Sequence, residues 1–256
     1  MTLQGQHALD PVPRPTAAVI EIEQLHHSYG DVEVLHGIDL VVEPGTIFGF
    51  LGHNGAGKTT TLHILTTLIT PTSGRARVCG HDTILERFDV QRNIGYVPEN
   101  VRLYDHLTAR ENLRFFADLS GVEDAPHAID EALGFLECRD LADRRVGTFS
   151  KGMRQRIGVA QAILHQPRVL FLDEPTSGLD PMGVRQLRDT IVRLNEQLGV
   201  TIFMNTHLLS EVAQVCTTIG VLAEGELIYH DSLARTLERF PDEASLEDIY
   251  IRLDRR

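Results

Sequence analysis

The segment Gly52-His53-Asn54-Gly55-Ala56-Gly57-Lys58-Thr59 constrains this chain more than any other, because it fits G-x-x-x-x-G-K-[ST] at every fixed position. Its setting fits as well. An apolar run, Thr46–Leu51, precedes it and reads as a buried strand, and a helical pattern follows through Thr59–Leu68 before Pro71 and Gly74. Glycines let the backbone curl so that successive N–H groups point inward, where they can hold phosphate oxygens. The following helix adds positive partial charge at its N-terminus. Lys58 would supply a point charge to the β and γ phosphates, Thr59 a hydroxyl to Mg²⁺, and Thr60 extends the cradle into the helix. The pattern implies a nucleoside triphosphate held by a strand–loop–helix unit.

Later in the chain, Val169-Leu170-Phe171-Leu172-Asp173-Glu174 places two carboxylates after four apolar residues. Alone, that is an ordinary solvated strand end. Beside a phosphate loop, Asp173 is placed to hold Mg²⁺ and Glu174 to polarise an attacking water. Two more apolar runs end in polar residues: 94–97 leads to Glu99, and 200–204 leads to Thr206 and His207. In an open parallel sheet all strand C-termini lie on one edge, where ligands bind. The strand pattern therefore predicts that the phosphate loop, Glu99, the acidic pair and His207 converge.

Composition narrows the remaining classes. The chain has 256 residues, 42% of them hydrophobic and 23% charged, so it can bury a proper core. Lys plus Arg is 24 and Asp plus Glu is 36, a net charge of −12, which argues against a general nucleic-acid binder. No run of about 18 apolar residues offers a membrane span, and no secretory leader is read at the N-terminus. Cys79, Cys138 and Cys216 are scattered and read as buried, reduced thiols. Residues 1–16, with Pro11, Pro13 and Pro15, read as a flexible lead-in. Residues 17–98 and 166–230 read as an α/β core with alternating strands and helices, 99–165 as an inserted helical subdomain, and 231–256 as a tail with a helix over Ser245–Leu253. Within the insert, the spacings Leu113, Phe116, Leu119 and Ile129, Leu133, Leu136 predict apolar helix faces.

Across about residues 18–230, these features resemble the ATP-binding cassette ATPases. Phe149-Ser150-Lys151-Gly152-Met153 with Arg154-Gln155-Arg156 resembles the family signature, Pro175–Asp180 its D-loop, Thr206-His207 its switch histidine, and Tyr29-Gly30 the aromatic that stacks on adenine. The resemblance implies a P-loop core with a mostly parallel sheet, an N-terminal antiparallel β region and the helical insert. It also implies a head-to-tail homo- or heterodimer of cassettes with two ATP molecules between them, working on the cytosolic face of a membrane through a separate transmembrane permease subunit. Ser150 would cap a helix starting near Lys151. Its N-terminus, with Gly152, would then face the partner's γ-phosphate.

Two segments depart from the family pattern: the signature, with Phe149 for Leu and Met153 for Gln, and the segment after Tyr96. Lys151 stands where Gly is usual, and Glu99 follows Tyr96-Val97-Pro98 where Gln is usual. Glu99 can still offer an oxygen to Mg²⁺. With this wording the chain resembles cassettes of exporter type, and more narrowly the cassette serving copper-site maturation of nitrous-oxide reductase. Two other readings compete. A ribosome- or DNA-directed cassette is disfavoured by the single phosphate loop, the absence of heptad runs and the net charge. A regulatory cassette with little turnover is disfavoured by Glu174 and His207.

Overall fold

A computed structural model describes residues 17–254; the expected lead-in over 1–16 lies outside the described residues. Among the described residues ten strands form two sheets. The first is a four-stranded antiparallel sheet of β1 (Ile20–Tyr29), β2 (Val32–Val42), β4 (Ser73–Val78) and the short β5 (His81–Asp82), in the order β2-β1-β4-β5. The second sheet has six strands: β3 (Ile47–Leu51), β6 (Ile94–Val97), β7 (Val169–Asp173), β8 (Thr201–Thr206), β9 (Thr218–Ala223) and β10 (Glu226–Ser232). Its order is β10-β9-β3-β8-β7-β6, parallel except for β10. The expected class is what the chain forms: an α/β P-loop core with an antiparallel N-terminal region and helical segments.

The central strands are buried along their whole length because both faces are covered, and the period of two divides their side chains between two cores. Phe48, Phe50, Phe171 and Phe203 face the antiparallel sheet and α1 (Lys58–Leu65). The rings of Phe48, Phe50 and Phe171 pack against Phe203 with centroids 5.1, 5.4 and 5.5 Å away. Ile47, Leu51, Leu170, Leu172, Ile202 and Met204 face the other core. That core is shared with α3 (Ala109–Leu119), α4 (Ala125–Phe135), α5 (Lys151–Ile163), α6 (Pro181–Leu198) and α7 (Leu209–Val215). Each fully buried large apolar side chain contributes about 1.5–3 kcal/mol. The helix α2 (Arg87–Asn93) links β5 to β6, and α8 (Leu233–Arg239) and α9 (Leu246–Asp254) complete the chain.

Local signals account for the helix ends. Thr108 and Glu111 form a reciprocal capping box at α3, Asp180 caps α6 ahead of Pro181, and Gly199 ends α6 in the left-handed conformation. Three expectations need correction. The first helix stops at Leu65, not Leu68: Thr66 turns its hydroxyl back onto Leu62 O at 2.9 Å and Thr67 takes φ 62°. Leu119 is 74% exposed, because α3 buries the stripe Ala109, Asn112, Leu113 and Ala117 instead. The tail carries α8 as well as α9. Among the described residues no helix is long and apolar enough to cross a membrane.

Candidate functional site

β3 delivers the chain into the loop 52–57, and α1 begins at Lys58. Two glycines are there for steric reasons. A Cβ at Gly52 would stand 2.4 Å from Leu222 O, and Gly57, at φ 105°, would press one to 2.6 Å from Leu35 Cδ2. The loop closes on itself through Ala56 N–H to His53 O at 3.2 Å, while His53 Nδ1 and Asn54 O lie 2.8 Å apart. Lys58 is buried and curls back over the loop, its Nζ donating to Gly52 O at 2.7 Å and His53 O at 3.1 Å. Burial holds its pKa below the ordinary lysine range, opposed by the charges of Glu174 and Asp173. The ammonium therefore sits on two backbone carbonyls that an arriving phosphate can replace. Gly55, Ala56 and Thr60 complete the curl around it, Thr60 as a buried residue of the first helical turn.

The strand ends converge as the period predicted. β3, β8, β7 and β6 are adjacent and parallel, so Leu51, Thr206, Asp173 and Val97 finish on one edge. Asp173 Oδ1 accepts from Asn205 Nδ2 at 2.6 Å and from Thr59 Oγ1 at 3.4 Å, and Asn205 Nδ2 also reaches Thr59 Oγ1 at 3.3 Å. Burial raises the Asp173 pKa, against the lowering effect of the Asn205 hydrogen bond. The Glu174 backbone is left-handed at φ 45° and its N–H donates to Asn205 O at 2.9 Å. This turn sends its carboxylate to His207, with Oε2 and Nδ1 2.8 Å apart. Glu99 Oε1 accepts from Ser177 Oγ at 2.8 Å. The phosphate loop, acidic pair and His207 thus form one continuous polar assembly, with Glu99 joined to the loop after Glu174.

Sequence reading missed Asn205. It is fully buried, its register partner is Asp173, and its Oδ1 has no hydrogen-bond partner. Its amide, next to last in β8, becomes a signal only once the strand order sets β8 beside the strand of the acidic pair.

Tyr29 ends β1 and is 51% exposed, its ring perpendicular to that of His27 with centroids 4.6 Å apart. Ser150 caps α5, its Oγ accepting Met153 N–H at 3.3 Å. The N–H groups of Lys151 and Gly152 have no acceptor among the described residues, as expected for a helix start. No hydrogen bond of these three residues reaches the phosphate loop of the same chain. A cleft of about 980 Å³ lies to one side of the loop, between β10, the two C-terminal helices and the rim residues His36 and His53. It contains none of the loop glycines. Cys138 and Cys216 are buried and Cys79 is half-buried; burial pushes the thiols of Cys79 and Cys138 up to about 11 and that of Cys216 higher still.

Comparison with known proteins agrees with this geometry. Residues 35–177 match the family model described as ABC transporter. The bacitracin transport ATP-binding protein BcrA of Bacillus licheniformis is 41% identical, over 83% of this chain and 69% of its own. The linearmycin resistance ATP-binding protein LnrL of Bacillus subtilis is 35% identical, over 82% and 68%. Among solved structures, an ATP-binding subunit of an ABC transporter superposes with a TM-score of 0.82 at 28% identity, covering 92% of this chain and 99% of that one. A dimeric ATP-binding cassette in a post-hydrolysis state with ADP and Pi gives 0.75 at 25% identity, covering 84% and 98%.

Proposed function

Since the chain belongs to the ABC transporter family, as an ATP-binding subunit that hydrolyses ATP, we propose that it works as a nucleotide-sandwich dimer driving a separate membrane-spanning partner. The observation that carries this is the division of the site. The phosphate loop, Asp173, Glu174 and His207 are joined by hydrogen bonds within one chain, whereas the N–H groups at Lys151 and Gly152 have no acceptor among the described residues of that chain. A helix N-terminus with unpaired N–H groups is an anion site, and a second chain's triphosphate is a suitable occupant.

In this reading Lys58 leaves the carbonyls of Gly52 and His53 for the β and γ phosphates of ATP, and the loop N–H groups hold the remaining oxygens. Tyr29 stacks on the base. Glu174 accepts the proton of the attacking water, and His207 orients its carboxylate while reaching the γ-phosphate. Thr59, Asp173 and the second oxygen of Glu99 are hard donors that suit Mg²⁺, which would neutralise phosphate charge when bound.

A permease contact is supported by the groove of about 380 Å³ lined by Tyr96, Pro98, Val101, Arg102, Phe116 and Gly158. It lies beside the exposed aromatic rings of Tyr104 and Phe115. A hinge at Glu99–Tyr104 would pass motion from the nucleotide edge to that groove. In this reading the chain works on the cytosolic face of a membrane. The names of BcrA and LnrL support an exporter.

Mixing tests the sandwich. Gly152→Asp folds, because a Cβ there meets only Leu179 Cδ2 at 3.8 Å, but its carboxylate repels phosphate. Lys58→Ala disables the other half. Each variant alone is expected to be inactive. Mixed, they should regain about a quarter of wild-type turnover, since half the pairs carry one complete site. No recovery in a mixture shown to form mixed dimers overturns the head-to-tail arrangement.

A further inference from the structure

Two of the positions at which the chain departs from the family pattern, Glu99 and Lys151, are far apart in sequence and lie on different elements, yet both reach the same dipeptide. Ser177 Oγ donates to Glu99 Oε1 at 2.8 Å. Over the next residue, a Cβ built on Gly178 would stand 3.1 Å from Lys151 Nζ and 3.3 Å from its Cδ, so the lysine stem arches directly across the Gly178 backbone. Gly178 is left-handed at φ 66°, which removes any side chain from that crossing. A carboxylate thus holds one residue and an ammonium covers its neighbour.

What this dipeptide belongs to makes the contact matter. The segment 174–180 starts at Glu174, itself left-handed at φ 45°, and ends at Asp180, which caps α6 by accepting Gly183 N–H at 2.7 Å. Between those ends it is held by Ser177 N–H to Glu174 O at 3.0 Å and Leu179 N–H to Thr176 O at 3.2 Å. The backbone of Glu174 is therefore set from its C-terminal side by wherever Ser177 and Gly178 sit. Lys151, at the start of α5, belongs to the half of the site that would serve the other chain.

We propose that Glu99 and Lys151 are positioning residues that act through Ser177-Gly178 to fix the place of Glu174, linking the signature helix of a chain to its own hydrolytic carboxylate. The proposal rests on the reading of Glu174 given above. It makes the two departures one device: opposite charges gripping a single loop from two sides.

The test is a kinetic cycle joined to an exchange measurement. Ser177→Ala is expected to lower kcat for ATP about tenfold and leave KM within about twofold, because placement of the base is lost while the phosphate cradle is untouched. In a Glu99→Ala background Ser177→Ala should cost nothing further, whereas in Glu99→Gln, which keeps an oxygen acceptor, it should again cost about tenfold. An equal loss in all three backgrounds overturns the Glu99 arm. In the nucleotide-free protein, hydrogen exchange of the peptide spanning 175–180 should quicken about tenfold in Ser177→Ala and in Lys151→Ala. Unchanged exchange in Lys151→Ala overturns the lysine arm. The exchange arm needs no nucleotide, so a failed grip is distinguishable from a chain in which Glu174 is not the base.

Discussion

The two halves of the nucleotide site are built by different means. The phosphate-loop half is satisfied internally: Lys58 is bound to two carbonyls, Thr59 and Asp173 share Asn205, and Glu174 is paired with His207. The signature half is a capped helix whose next two N–H groups have no acceptor among the described residues. The first half is preorganised around buried charge, while the second is left open at a surface. On the proposed reading, preorganisation lets a single chain hold a triphosphate, and the open helix end makes completion depend on a second copy. A ligand that bridges the halves therefore favours the paired state by its differential affinity for it.

The largest effect should come from the closed half. Lys58→Ala removes the only side-chain cation in the loop and is expected to abolish detectable nucleotide binding and lower hydrolysis by more than about 100-fold. Fluorescent-nucleotide titration and phosphate release check this, and turnover near wild type would mean the loop is not the site. Next, Glu174→Gln keeps the shape and removes the base. It should bind ATP, lose turnover by about 10²–10⁴-fold, and accumulate as a dimer in sedimentation. A Glu174→Gln chain that stays monomeric with saturating ATP would break the contrast between the halves.

Sequence made the contrast visible in part. The strand–loop–helix context, the acidic pair and the placement of Glu99 and His207 on one edge followed from the period of two and the rule for parallel sheets, and the register bears them out. Ser150 was readable as a cap because a hydroxyl precedes a helical run. Asn205 was not, because an amide at a strand end carries no signal until the strand order puts β8 beside β7. The strand Ser73–Val78 was missed for another reason: only Ala76 and Val78 of SGRARV are buried, and Arg75 and Arg77 face outward or sideways on a half-covered sheet. The helix after Ser232 had a readable cap, its Oγ accepting Arg235 N–H, but a short, charged run followed it.

Asn205 supplies a middle-sized test. Asn205→Ala removes the donor that holds Asp173 Oδ1 and leaves a buried carboxylate poorly satisfied, with an expected stability loss of about 1–3 kcal/mol in denaturant unfolding. Turnover should fall as well, since Thr59 and Asp173 lose their common partner. A variant as stable as wild type would show that the closed half is looser than its hydrogen bonds imply.

The smallest effect has the opposite sign. Burial raises the Asp173 pKa, so the fold prefers the protonated acid more than the unfolded chain does. The stability this group contributes is fully present at low pH and is lost as pH rises through its folded pKa. At neutral pH the ionised carboxylate is therefore a cost to the nucleotide-free protein, accepted for the sake of a cation. Asp173→Asn removes the charge and keeps an oxygen for Asn205. Its Tm should exceed that of wild type by about 2–4 °C near pH 7.5, for a gain on the order of 1 kcal/mol, and the gap should close as pH falls. Hydrolysis should be lost in the same variant. If Asp173→Asn instead melts below wild type near pH 7.5, the closed half is stabilised by its charges, and the idea that it holds them in tension until nucleotide arrives fails.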